Sequence, residues 1–233
     1  MPSISAQVKI DTAALQERLR HVYWIGGGSG AGKSTIARCI AAAYDMHYYA
    51  TDDVMADHGR RMPAETSPYL QAFIAMDMDE RWLHRSPKVM LESFHWFRGE
   101  GFALIIEDLL QLPSERSIVV EGFRLLPHLL MPLLANPAQA IWLLPTPTFR
   151  QHVFAERGGV AWGFIGKTSH PAQALHNLLE RDARFTERLR AELEQDRLPY
   201  RSVDGTLSVA DLTAQVATAF GLPALPSAPN ELP

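Results

Sequence analysis

A parallel β-sheet covered by helices on both faces is the α/β fold that this sequence predicts, and three observations carry it. Short runs of apolar, β-branched and aromatic residues alternate along the chain with longer stretches of helical spacing. Those runs are apolar throughout instead of alternating with polar residues, which is how strands buried on both faces read. The first run also feeds a glycine-rich turn that opens directly into a helical stretch.

Composition bounds the function. Of the 233 residues 47% are hydrophobic and 21% charged, so the chain can bury a sizeable core and is no disordered polyelectrolyte. One large domain is expected over residues 1–221, followed by a proline-rich tail, 222–233, whose composition favours extended chain. A net charge of -4 speaks against a nucleic-acid partner, which would need a clustered basic surface. The single cysteine, Cys39, cannot form an intrachain disulfide, and no Cys/His cluster has zinc spacing. No signal-peptide core opens the chain and no apolar run is long enough to span a bilayer. A cytoplasmic protein without a membrane partner is therefore expected.

Along the chain, residues 11–20 read as a short helix with Leu15 and Leu19 four apart, and residues 21–25 as the first strand. Residues 34–44 place Ile36, Ala37, Ile40 and Ala41 on one side of a helix, and residues 46–51 form a second strand. The following stretch, 54–116, is mostly helical in pattern and too long for a connecting loop, so it predicts an inserted helical subdomain. Within it Phe102, Ile105, Ile106, Leu109 and Leu110 make one helix face, with Glu107 and Asp108 expected on the solvent side. Further strands are expected at 117–120, 140–144 and, more faintly, 200–203. A second long stretch, 149–198, carries Arg150, Arg157, Arg181, Arg184, Arg188 and Arg190.

The turn after the first strand, Gly27-Gly28-Ser29-Gly30-Ala31-Gly32-Lys33-Ser34, fits G-x-x-x-x-G-K-[ST], with Thr35 inside the helix it opens. Glycines let successive backbone N–H groups curl toward phosphate oxygens, and the helix adds its positive N-terminal end. Lys33 would then reach the terminal phosphates and Ser34 would ligate Mg²⁺. A rival pattern in the same residues, Gly26-x-Gly28-x-x-Ala31, satisfies the dinucleotide fingerprint, with Asp52 or Asp53 to hold a ribose. It leaves Lys33-Ser34 without a role.

Other chemistry clusters at strand ends. Asp52 and Asp53 close the second strand, where a carboxylate lies beside the phosphate loop and can take a proton from an acceptor hydroxyl; the plainer reading is a helix cap near Val54. Glu121 closes the third strand, and an ionised group there needs a partner, so it is a candidate to bind Mg²⁺ or orient the nucleophile. Arg124 reads equally as a clamp on acceptor or phosphate and as a surface arginine. Trp82, His84, Phe94, His95, Trp96 and Phe97 read as core, or as an apolar acceptor pocket. No Asn-Lys-x-Asp element for guanine is present, which leaves kinases and ATPases.

This order of features resembles the P-loop kinases of nucleosides and small metabolites, the uridine kinase and nicotinamide riboside kinase group especially. The stretch Glu121-Gly122-Phe123-Arg124 is also similar to the Asp-Gly-Phe-Pro-Arg segment of adenylate kinases, with Glu for Asp and no Pro. The resemblance implies a three-layer P-loop sandwich whose five-stranded parallel sheet runs in the order 2-3-1-4-5. It implies an acceptor site under the 54–116 insertion and an arginine-bearing lid within 149–198, where Gly158, Gly159, Gly163 and Gly166 offer bending points. The implied activity is ATP- and Mg²⁺-dependent phosphoryl transfer to a hydroxyl of a small molecule such as a nucleoside or metabolite. By that analogy Asp52 is the general base, with Asp53 as its substitute, and Lys33, Glu121, Arg157 and Arg181 complete the catalytic set. Either Arg150 with Arg157 or Arg181 with Arg184 and Arg188 would supply lid charge, although pairing with Glu187 and Glu192 on a solvated face explains Arg188 and Arg190 better. The alternative is an ATPase or a regulatory nucleotide-binding protein with no small-molecule acceptor.

Overall fold

Five strands form one all-parallel sheet: β1 (Val22–Gly27), β2 (His47–Ala50), β3 (Ile118–Glu121), β4 (Ala140–Pro145) and β5 (Tyr200–Val203), in the order β2-β3-β1-β4-β5. They belong to a computed structural model of the chain that describes residues 12–224. Asp11 of the first expected helix and residues 225–233 of the expected tail lie outside the described residues. All five strands stand where the apolar runs place them, within a residue or two at each end.

Side chains alternate across the strands and feed two cores. Val22, Trp24, Ile118, Val120, Trp142 and Leu144 face one of them, while Ile25, Val119, Ile141, Leu143 and Val203 face the other. The helices follow in chain order: α1 (Thr12–Arg18), α2 (Lys33–Ala43), α3 (Met55–Arg61), α4 (Pro68–Ala75), α5 (Pro87–Ser93), α6 (Phe102–Gln111), α7 (Pro127–Leu130), α8 (Pro147–Glu156), α9 (Pro171–Gln195) and α10 (Val209–Ala219). Helices α2 and α10 cover the second core with Ile36, Ile40, Leu212 and Val216. The first core lies under α9 and the helices of the long insertion. No helix among the described residues is long and apolar enough to cross a membrane.

Three expectations change here. The 54–116 stretch is helical but has no core of its own: Leu70, Trp82, Met90, Phe94, Phe97 and Ile105 pack in one cluster with the sheet residues Trp24 and Trp142. It is an elaboration of the sandwich face. Asp108 does not sit in solvent; it accepts hydrogen bonds from the Tyr49 hydroxyl at 2.7 Å and Arg61 Nη1 at 3.0 Å, and pairs with His58 Nε2 at 2.8 Å. Glu107 joins it through Arg61 at 2.6 Å. The dinucleotide reading falls on topology. In the doubly wound dinucleotide order the first two strands are neighbours, whereas here β3 lies between β1 and β2. Gly26, the fingerprint's first glycine, has a nearer cause: a Cβ there would overlap the Trp142 indole, which donates from Nε1 to Leu125 O at 2.8 Å beneath β1.

Candidate active site

Strand register brings the expected residues to one edge of the sheet. Glu121 lies opposite Ile25 of β1 and Ala50 of β2, Thr51 N donates to Glu121 O at 2.9 Å, and Gly122 N donates to Ile25 O at 3.1 Å. The carboxyl ends of β1, β2 and β3 therefore finish level, so the glycine loop, Asp52 and Glu121 open on the same space. That space is a cleft of about 830 Å³ lined by the loop residues Ser29, Gly30, Ala31, Gly32, Lys33, Ser34 and Thr35, and by Asp52, Glu121, Arg157 and Arg181.

Two loop glycines serve the loop in different ways. Gly27 (φ 123) closes β1 so tightly against β4 that a Cβ would overlap the Leu143 backbone, whereas Gly32 (φ 77) caps α2 with open space around it and no side chain donating or accepting at the cap. The first-turn N–H groups of α2 thus face the cleft without a capping side chain, the arrangement that receives phosphate oxygens. Gly27 and Gly28 do not line the cleft; Gly28 packs against Pro145, Arg150 and Thr186. Lys33 is 8% exposed and donates from Nζ to Gly28 O at 2.9 Å. Burial pulls its pKa down, against the carboxylates of Glu121 and Asp52.

Glu121 is 2% exposed and accepts the Tyr48 hydroxyl at 3.0 Å. Burial pushes its carboxyl above the ordinary range, against the pull of Lys33 and of the neighbouring Ser34 hydroxyl. Asp52 is open to the cleft, yet the protein packed around it also raises its pKa, opposed by Lys33 and Arg124. Asp53 is exposed and does not line the cleft.

The arginines divide. Arg150 is buried and braces the loop, donating from Nε to Ser29 O at 3.2 Å and from Nη2 to Thr186 Oγ1. Arg181 is buried, donates from both Nε and Nη2 to Asp182 Oδ1, at 2.9 and 2.7 Å, and lies over the Phe94 ring at 4.8 Å. Arg184 pairs with Glu180 outside, at 2.8 Å. Arg188 is not on a solvated face; it is half-buried and donates to Phe97 O at 3.1 Å, while Arg190 does pair with Glu187, at 3.7 Å. Arg157 has no ion-pair partner among the described residues; it lies 5.5 Å over the Phe154 ring, and its charge acts on Lys33. Arg124 is neither clamp nor surface group. It is 2% exposed, donates to Thr51 O at 3.3 Å and Gly101 O at 3.1 Å, contacts His58 Nδ1 at 3.0 Å, and stacks 4.0 Å over Trp96.

Beyond the carboxylates the cleft becomes an aromatic chamber. Trp82, Phe94, His95, Trp96 and Phe97 line it, so these residues are core and pocket wall at once; His84 stands outside, exposed, 3.8 Å from Glu80. Phe73, Phe123, Trp162 and Phe164 complete it, and sequence reasoning missed them along with Tyr48 and Asp182. Glycines flank Trp162 and Phe164 in a stretch that reads as loop, and the Tyr48–Glu121 bond depends on which strand pairs with β2. Neither signal is local.

Level strand ends, a glycine loop entering α2, and carboxylates closing β2 and β3 on this sheet order define a P-loop kinase-like fold. No family model matches the chain, and no curated protein does. Among solved structures, a gluconokinase from Sinorhizobium meliloti 1021 is similar over 88% of this chain and 93% of its own, at 17% identity and a TM-score of 0.39. So distant a likeness carries no argument about chemistry.

Proposed function

We propose that this protein is an ATP- and Mg²⁺-dependent phosphotransferase acting on a hydroxyl of a small molecule. One observation carries the reading: Lys33, Asp52 and Glu121 share a single cleft whose other half is a chamber walled for a second ligand. A nucleotide site alone does not account for that chamber.

In this reading the backbone from Ser29 to Thr35 and the Lys33 ammonium hold the phosphates of ATP. Asp52 takes the proton as the acceptor oxygen attacks the γ-phosphorus. The new O–P bond forms while the bond from that phosphorus to the β–γ bridging oxygen breaks, and its electron pair leaves on ADP. Asp52 is preferred to Asp53 because only Asp52 lines the cleft. Arg157, without a carboxylate partner among the described residues and with its charge acting on Lys33 at the loop, is the arginine available to the transferring group; Arg181 is committed to Asp182 and shapes the chamber.

Mg²⁺ fits the donors present. Among the described residues no group of three or more His, Cys, Asp or Glu gathers as a metal cage. Mg²⁺ with nucleotides needs no such cage, since it takes one or two protein oxygens and completes its shell with phosphates and water. The Ser34 hydroxyl and the Glu121 carboxylate are those oxygens, and the ion, when bound, offsets charge on the phosphates.

ADP release measured over a panel of hydroxylated compounds tests the proposal. Strong stimulation by one compound, lost in Asp52→Asn, is the expected result. A basal rate that no compound changes would favour an ATPase or a regulatory binder.

A further inference from the structure

The chamber also bears on the acceptor's chemistry. Building on the kinase reading, we propose that the acceptor is an uncharged molecule with a flat, apolar aromatic body that carries the reacting hydroxyl, held among the rings of Phe73, Trp82, Phe94, Phe123, Trp162 and Phe164. Trp82 and Phe164 stack with centroids 4.4 Å apart, and Phe73 meets Trp82 edge-on at 5.7 Å. Such walls take flat apolar groups by area burial and ring-to-ring contact.

The charges around the chamber leave an anionic acceptor little to pair with. Arg181 is spent on Asp182. Arg81 gives Nε to Phe73 O at 2.9 Å and Nη2 to Ile74 O at 3.0 Å, and lies 4.7 Å over the Phe73 ring. Arg60 pairs with Asp57 at the outer surface, at 3.2 Å. Among the described residues of the lining, Arg157 and Arg81 have no carboxylate partner; the charge of Arg157 acts at the phosphate end, on Lys33, and that of Arg81 reaches His95. A phosphorylated or carboxylated acceptor would therefore bring its charge into an apolar chamber where the nearest unpaired cation, Arg81, already gives two of its donors to backbone carbonyls and its face to Phe73, which is costly.

Hydrogen-bonding capacity is equally sparse. Among the described residues no Ser, Thr, Asn, Gln or Tyr lines this half of the cleft. A polyol, or a nucleoside base read on its edge, would leave several polar groups unpaired on binding. Besides the indole N–H groups of Trp82, Trp96 and Trp162, the uncharged polar group in this wall is His95, 3% exposed, set between Phe73, Phe94 and Trp96, with Nδ1 buried and unpartnered. Burial holds its pKa down to about 3, so it faces the chamber as a neutral imidazole. A wall of rings with neutral polar groups demands no charge from a ligand.

Isothermal titration of the full chain with naphthylmethanol, a neutral flat aromatic bearing a primary hydroxyl, tests this against sorbitol, uridine and AMP. Saturable binding of naphthylmethanol, about tenfold or more tighter than the other three, is expected, and Phe164→Ala should weaken it about five- to tenfold, the size of one lost ring contact. If Phe164→Ala lacks a melting transition, Trp162→Ala at the same wall supplies the comparison. Equal or tighter binding of sorbitol, uridine or AMP, or unchanged affinity in the folded ring variant, overturns the proposal. ATP·Mg²⁺ is titrated separately. Binding of ATP without naphthylmethanol sinks the proposal alone; binding of naphthylmethanol through Phe164 without ATP sinks the kinase reading and leaves the ligand class standing.

Discussion

Asp52 and Glu121 are carboxylates held where folding disfavours their charge, and that sets the sign of their pH dependence. Both pKa values are raised by burial. In the window between the unfolded and folded values the native chain binds more protons than the unfolded one, so stability falls as pH rises through it. Glu121→Gln keeps an acceptor for the Tyr48 hydroxyl and removes the buried charge. It should melt higher than wild type at neutral pH, and the difference should close once pH falls below the carboxylate range. Its phosphoryl transfer should fall at the same time, with part of the loss recovered at high Mg²⁺. Asp52→Asn should lower turnover by roughly 10²–10⁴, the range for a lost proton acceptor, with ATP affinity little changed. His95 has the opposite sign, since burial lowers its pKa from 6.5 to about 3. As pH drops through that window the unfolded chain takes a proton that the native one refuses, and stability falls by up to about 1.4 kcal/mol per pH unit. Urea melts of wild type and His95→Gln across acid pH should show the slope reduced in the variant. Single residues were legible where their partners are local. The place of Lys33 and Ser34 at the start of α2 was readable because the motif lies within eight consecutive residues between a strand and a helix. Arg124 was not, because its contact with His58 spans 66 residues.

At the scale of elements, the loop separates packing glycine from binding glycine. Gly27→Ala would drive a Cβ into the Leu143 backbone where β1 meets β4, and neither side is a flexible side chain that can give way. It should cost most of the protein's stability. Gly32→Ala meets nothing within 4 Å and bears only the strain of a left-handed residue, about 1 kcal/mol. It should melt close to wild type and yet lose most of the stabilisation by ATP·Mg²⁺, because its methyl would stand where the α2 N-terminus receives phosphate. Paired thermal melts with and without nucleotide read both variants; a Gly27→Ala protein that melts like wild type would contradict the strand-packing account. The strands were legible because burial on both faces writes a continuous apolar run. The short helices between β2 and β3 were legible only as a helical stretch, since Pro63, Pro68 and Pro87 break its periodicity. Helix α9 misled for a physical reason. Arg181 reads as lid charge, but it turns inward because Asp182 and three aromatic rings receive it.

For the whole molecule, the proposed transfer to an alcohol would compete with transfer to water unless some part of the chain closes over the cleft. The stretch 149–198 cannot move as one lid. Its second half is α9, which buries Leu178, Phe185, Leu189 and Leu193 in the first core together with strand residues of the sheet. What is left is the connection between α8 and α9, residues 157–170, which carries Arg157 and has positive φ at Gly158, Gly159 and Gly163. Its rings Trp162 and Phe164 rest on Phe154 and Trp82 at the cleft, with centroids 5.2 and 4.4 Å apart. The segment is therefore attached to the site by side-chain contacts that ligands would tighten. Hydrogen exchange in residues 157–170 should slow when a non-hydrolysable ATP analogue binds, and slow further with an acceptor, while α9 stays at its unliganded rate. Arg157→Ala should lower turnover more than ATP affinity, because a charge brought to the transferring group acts chiefly on the transition state. Arg181→Ala should instead cost stability, since it strands the buried Asp182 carboxylate without its partner. Slowed exchange in α9 with none in 157–170 would move the closing element elsewhere, and wild-type turnover in Arg157→Ala would remove that arginine from the chemistry.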